Sequence, residues 1–175
     1  SEIANVRKIQ SILEHVIKNK RSLLIVAPVD QQVKAALLMN KVKGNIKVNI
    51  IDLPGFGPTK EDTCEDLALL VGATIINENL GDDLDLIDVS CLGEAYTAVT
   101  DDKTTVLTIE TPQEAMEERI ASIKKTIDKW EKNPFIQKKH RERLAMLSGS
   151  VGIIKVGADS KVELKEKKDR IEDAI

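Results

Sequence analysis

Three short apolar runs of strand length, Ser22–Ala27, Lys47–Asp52 and Thr74–Ile76, alternate with segments of helical period. Pro28 stops the first run. Asp30 then stands as an N-cap for a helix that reaches about Lys43, where Gly44 ends it. After the second run, Leu53–Pro58 is a rigid loop, and a helix spans roughly Thr59 to Val71 before Gly72. A β-α-β-α-β alternation implies an α/β layer with parallel strands, because parallel neighbours need a long crossover that a helix fills.

Beyond Ile76 the rhythm changes. Asn77–Gly93 is acidic and irregular, with a short apolar segment at Leu84–Leu92. Tyr96–Thr100 and Thr104–Ile109, joined through Asp101-Asp102-Lys103, read as an antiparallel hairpin. Thr111 as N-cap and Pro112 at the first helical position open a long helix to about Lys132. Asn133-Pro134 breaks it, and a further helix runs to Leu147. The expected fold is therefore α/β, with parallel strands flanked by helices, a β-hairpin and long C-terminal helices.

The first two helices carry more apolar surface than one core requires. On the first, Ile3, Val6, Ile9, Ile12, Leu13, Val16 and Ile17 fill about half the circumference, against the roughly 100° stripe of an ordinary surface helix. Ile9, Ile12 and Val16 lie to one side of that arc; Leu13, Ile17 and Ile3 lie toward the other, with Gln10 among them. On the second, Val33, Ala36 and Leu37 form one stripe, and Ala35, Leu38, Met39 and Val42 form another. One stripe can cover a sheet. The other fits either a second core face or an external apolar partner. Two such helices side by side would make a groove for extended or amphipathic segments, and Leu and Met suit a surface that repacks around varied partners.

Composition narrows the function classes. The net charge is −3 with both signs interspersed, and the aromatics are only Phe56, Tyr96, Trp130 and Phe135. That leaves neither a phosphate-tracking stripe nor a stacking platform for nucleic acid. Cys64 and Cys91 show no metal-ligand spacing, and reduced thiols are the expectation. No apolar run approaches the ~20 residues that span a bilayer, so no membrane partner is expected.

Pro54-Gly-Phe-Gly57 sits between a strand and a helix, where phosphate loops occur. It lacks both G-x-x-x-x-G-K-[ST] and a third glycine, and Pro58 removes an N–H that a phosphate would need. A structural turn is the simpler reading. Asp52 reads as a cap or surface residue, and Gly81-Asp-Asp-Leu-Asp85 lacks the spacing of a calcium loop.

The C-terminal stretch holds a strand run, Val151–Val156, a Gly157–Ser160 turn and a second β-run at Lys161–Leu164. A charged helix follows, whose apolar face (Leu164, Ile171, Ala174) has no partner in the sequence. The chain reads as a piece of a longer protein.

Several strings together resemble one family. Asn5-Val-Arg7, Leu23-Leu-Ile-Val-Ala27, Pro54-Gly-Phe-Gly57, Asp66-Leu-Ala and Gly72-Ala-Thr74-Ile are similar to the apical domain of group I chaperonins, the GroEL class. So are Arg141-Glu-Arg-Leu-Ala, leading to Ser148-Gly149, and the block Val151-Gly-Ile-Ile-Lys-Val-Gly-Ala with Glu163 to Ala174. Residues 110–140 match only in pattern.

The resemblance implies an apical, polypeptide-binding domain over 1–150, without its N-terminal part. Residues 151–175 would be a return segment and the start of an intermediate-domain helix. It implies binding of exposed apolar segments of unfolded polypeptides, and of a co-chaperonin, in a groove between the first two helices. There Leu13, Leu38 and Met39 keep apolar character, with Ile17 beside them, and Asn40 keeps its amide. Gln10 and Lys34 stand where the family usually has leucine. Asp173 falls where the family carries the aspartate that orients water for ATP hydrolysis. ATP and Mg are thus implied for a full-length parent, a homo-oligomeric ring, and no catalysis or cofactor for this piece alone. A cytoplasmic or organelle-matrix location follows. The alternatives are a small α/β nucleotide-binding domain with ligand near Gly55 and Gly57, and a structural oligomerisation domain whose spare apolar stripes are an interface.

Overall fold

The computed structural model of the chain describes residues 2–53, 57–101, 104–110, 113–129, 133–148 and 151–155, with 113–115, 129 and 151–155 as backbone alone. The phosphate-loop-like residues 54–56, the Thr111-Pro112 helix start, the turn at 157–160, the run 161–164, the charged helix after it and Asp173 lie outside the described residues.

The apolar run after Arg21 forms β1 (Ser22–Val26), which pairs in parallel with β2 (Lys47–Ile51), Ser22 opposite Lys47 and Val26 opposite Ile51. The crossover is α2 (Gln31–Val42), opened by Asp30, whose carboxylate accepts the Gln32 N–H at 2.8 Å. Gly44 takes φ 75°, the left-handed conformation that lets the chain leave the helix. In front of β1 lies α1 (Gln10–Lys18), preceded by a 3-10 turn at Val6–Ile9 that the Asn5 side chain caps.

The helical pattern expected from Ile3 onward begins later than that. Ile3 is extended, makes a parallel bridge with Val29, donates to the Pro28 carbonyl at 2.9 Å and accepts from Asp30 N–H at 3.1 Å. Its helical spacing from Val6 is incidental; the segment is held by the loop after β1.

Side-chain alternation along β1 and β2 sorts the interior into two cores. Leu23, Ile25, Val48 and Ile50 join Ile3, Ile9, Val33 and Leu37 on the α1/α2 side. Leu24, Val26 and Ile51 join the larger core on the opposite side with Leu67, Leu70, Leu107, Ile123 and Leu147. A sheet covered on both faces needs apolar residues at successive positions, as these strands have.

The third helix, α3 (Pro58–Val71), has Pro58 in its first turn and stops at Gly72 with φ 71°. The strand expected at Thr74–Ile76 belongs to neither sheet. Instead Thr74 N–H donates to the Cys91 carbonyl at 3.0 Å, and Glu94 N–H to that of Val71 at 2.9 Å. The connector folds back over the end of α3 and takes up these backbone groups. Gly93 permits this approach: a Cβ there would lie 2.6 Å from both Cγ2 and the carbonyl oxygen of Val71. The connector's Asn and Asp side chains have local work. Asn77, Asp83 and Asp88 each cap a 3-10 turn, at Glu78–Leu80, Leu84–Leu86 and Val89–Cys91.

The expected hairpin is β3 (Thr97–Thr100) and β4 (Thr104–Thr108). A third antiparallel strand, β5 (Val151–Lys155), pairs along the other edge of β4, with Thr104 opposite Lys155. Asn49 of β2 donates to Thr100 Oγ1 at 2.6 Å and ties the two sheets together. Between β4 and β5 the chain makes a helical pair, α4 (Gln113–Lys129) and α5 (Pro134–Ser148), the second capped by Asn133.

Candidate functional site

The helices α1 and α2 divide their apolar residues into buried and exposed sets, but not wholly as the double-stripe reading requires: Ile3, grouped with Leu13 and Ile17, is buried and lies outside the helix. Ile9, Ile12 and Val16 are buried, Leu13 is half-buried against the α1/α2 core, and Ile17 is 49% exposed. On α2, Val33 and Leu37 are buried, while Leu38 is 39%, Met39 60% and Val42 88% exposed. Ala36, grouped with Val33 and Leu37 on one stripe, is exposed while those two are buried. The inward stripe of α2 is therefore narrower than its spacing suggested, because a twelve-residue helix resting on Val33 and Leu37 turns position 36 past the sheet.

The polar members of the candidate set have definite partners or surroundings. Gln10 is exposed and its Nε2 donates to Glu14 Oε1 at 2.8 Å, one turn along α1. Lys34 is exposed, and no ion pair involves it among the described residues. Asn40 is committed internally: its Nδ2 donates to the Ala36 carbonyl at 2.9 Å, and its Oδ1 accepts from Asn45 Nδ2 at 3.1 Å. The side chain fastens the end of α2 to the turn that follows. A cleft of about 230 Å³, lined by Ala4, Asn5, Val6, Gln32 and Val33, opens where the N-terminal segment passes the start of α2. Leu13 packs against the same core as Val33 and Leu37, so both helices rest on one body.

No family model matches the chain. Over 176 residues it is 42% identical to chaperonin 60 subunit beta 3, chloroplastic, of Arabidopsis thaliana, covering 99% of this chain and 29% of the relative. The RuBisCO large subunit-binding protein subunit beta, chloroplastic, of Pisum sativum is 40% identical over the same shares. The chain is homologous to chaperonin 60. It spans about three tenths of the length of these relatives. In fold it is similar to the chaperonin gp146 of bacteriophage EL, with a TM-score of 0.55 over 98% of this chain and 36% of that one, at 16% identity.

This chaperonin 60 homologue also contains a polar centre that sequence reasoning missed. Asp66 on α3 has no exposed surface, and Arg143 on α5 is 8% exposed. Arg143 bonds both oxygens of Asp66 and donates Nη1 to Asp62 at 2.7 Å. Arg119 on α4 adds Nε to Asp66 at 2.7 Å and Nη2 to Glu65 at 2.8 Å. Burial opposes the Arg119 charge, but the hydrogen bonds it donates to Asp66 and Glu65 outweigh that and hold its pKa above the ordinary value. The sequence did carry a signal. Asp62 and Asp66 are like charges four residues apart on a helix otherwise anchored by Leu67 and Leu70, an arrangement that calls for cations across the packing interface.

Among the described residues no three His, Cys, Asp or Glu side chains group to hold a metal ion, and no helix is long and apolar enough to cross a membrane.

Proposed function

We propose that this chain is the polypeptide-gripping, apical part of a chaperonin subunit. Residues 1–150 form that domain, and 151–175 lead back toward an intermediate domain. Its activity is capture. Gln10, Leu13 and Ile17 on α1 and Lys34, Leu38, Met39 and Asn40 on α2 line the surface that receives exposed apolar segments of unfolded chains and, in competition, a co-chaperonin. One observation supports this most: two helices fastened to a single core leave Ile17, Leu38, Met39 and Val42 exposed to water. Exposing them opposes solubility unless a partner covers them. Asn40, held by Ala36 and Asn45, would frame the end of that surface.

Burying a leucine-sized anchor contributes about 1.5–3 kcal/mol, and ordering an extended partner offsets much of it. Two or three anchors on one chain give weak binding; several copies in a ring holding one client would give useful affinity. ATP and Mg would act in the full-length subunit, with Asp173 orienting the attacking water. The named relatives are chloroplastic, which favours an organelle matrix over the cytoplasm as the working compartment.

The test is a fluorescence-anisotropy titration of a labelled amphipathic peptide with the chain, beside Leu38→Ser and Met39→Ser. Saturable binding in the high-micromolar range, weakened several-fold by each substitution, is expected. Binding that both variants leave intact would remove α2 from the site.

A further inference from the structure

We infer that the α2 face selects apolar segments flanked by carboxylates; this rests on the client-capture reading above and names the class of client. Residues 1–49 carry nine Lys or Arg against three Asp or Glu, although the whole chain has a net charge of −3. That excess is not spread evenly. Lys8 is taken up by Glu78 at 2.7 Å and Arg21 by Glu94 at 2.9 Å, so the acidic connector neutralises cations at both ends of the α1 region. The carboxylate on α1, Glu14, accepts from Gln10 Nε2 at 2.8 Å, and Lys18 one turn on forms no ion pair among the described residues.

Among the described residues the cations of α2 have no such acidic partner. Lys34 and Lys41 are exposed and form no ion pair among the described residues. They stand at i and i+7 about Leu38 at i+4, which places cation, apolar anchor and cation along one stripe of the helix. Asp30, the acid nearest in sequence, is committed to the Gln32 N–H. An apolar side chain seated at Leu38 would therefore hold its neighbours, about one turn or two residues of extended chain to either side, within reach of two unneutralised ammonium groups. Carboxylates in the flanks satisfy them; lysines in the flanks are repelled. The cations also discriminate by encounter rate, since unpaired surface charge steers partners of the opposite sign.

The experiment uses three labelled peptides with identical apolar anchors and glutamate, glutamine or lysine flanks, titrated with the chain at low and high salt. Exposed ion pairs are individually weak, so two of them predict an acidic peptide bound about five- to tenfold tighter than the neutral one at low ionic strength, with the gap closing at high salt. Lys34→Glu with Lys41→Glu should invert the order of the peptides, and far-UV circular dichroism of this surface variant checks that it is folded. Equal affinity for acidic and neutral peptides would overturn the charge selection and leave apolar capture standing. Failure to bind any peptide would overturn capture and selection together. Acidic-peptide binding that Leu38→Ser does not weaken, or that a uracil oligonucleotide of equal charge displaces as well as the peptide itself, would reduce the face to a general polyanion surface and overturn the inference.

Discussion

Arg143 on α5 grips the fully buried carboxylate of Asp66 on α3 through two nitrogens, Nε to Oδ2 at 2.5 Å and Nη2 to Oδ1 at 3.1 Å. With Arg119 bound to the same carboxylate, one acid joins three helices. A buried pair of this kind adds little over well-packed apolar residues, yet breaking it strands a charge where water cannot reach. Asp66→Ala should therefore cost about 3–5 kcal/mol in urea denaturation. Asp66→Leu combined with Arg143→Leu should cost clearly less than the sum of the two single changes. Strict additivity would show that the pair is not coupled.

Leu37 and Leu38 are neighbours with opposite fates, at 2% and 39% exposure. Leu37→Ala empties part of the core shared with Val33 and Val48 and should destabilise by about 2–5 kcal/mol. Leu38→Ser should change stability by less than about 1 kcal/mol while weakening peptide binding. Denaturation midpoints and anisotropy on the same two variants separate fold from site. A large loss of stability in Leu38→Ser would mean that Leu38 belongs to the core.

How legible each part was follows from the range of the forces involved. The α2 helix could be read from Asp30 through Gly44 because its cap and its stop are local signals, and both are present. The double apolar stripe was legible for the same reason, since helical period is local. Ile3 misled because a helical spacing carries no information about whether the backbone between is helical; the bridge to Val29 that decides it lies 26 residues away. Thr74–Ile76 misled in the opposite sense. Its β-type residues are real, but the connector that returns to Cys91 takes its backbone donor before a sheet can. For Asp66 the local signal, a second acid four residues before it, marks a need for cations but not their source, since they come from residues 53 and 77 positions on. The candidate client surface was legible as excess apolarity, whereas the lack of an ion pair at Lys34 and Lys41 among the described residues required knowing which cations Glu78 and Glu94 take up.

Gly93 tests the close approach that displaces the third parallel strand. A methyl group there would meet Val71 Cγ2 and the Val71 carbonyl at 2.6 Å and Ala73 Cβ at 2.9 Å. Gly93→Ala should destabilise by about 1–3 kcal/mol, the ordinary cost of overpacking. Val71→Ala should relieve only part of it, since the carbonyl contact is backbone and stays. Full rescue by Val71→Ala would show that the side chain alone sets the limit, and an unchanged midpoint for Gly93→Ala would show that the connector does not press on α3.

Tyr96 offers a pH test that a single residue can report, because the chain has one tyrosine. Its hydroxyl donates to Glu110 Oε2 at 2.7 Å across the strand end, and that hydrogen bond, with the nearby negative charge, holds the phenol above its ordinary pKa of 10.0. Ultraviolet difference titration of the folded chain should therefore ionise later than the urea-unfolded chain, and Glu110→Gln should move the folded value back toward the ordinary one. The sign for stability follows from the raised value. The contribution of this contact is fully present below the unfolded pKa and is lost as pH rises through the folded one. Because the pair is exposed, the effect on stability is small, and the titration itself is the decisive readout. A folded-state curve that coincides with the unfolded one would mean that Glu110 does not hold the hydroxyl in solution.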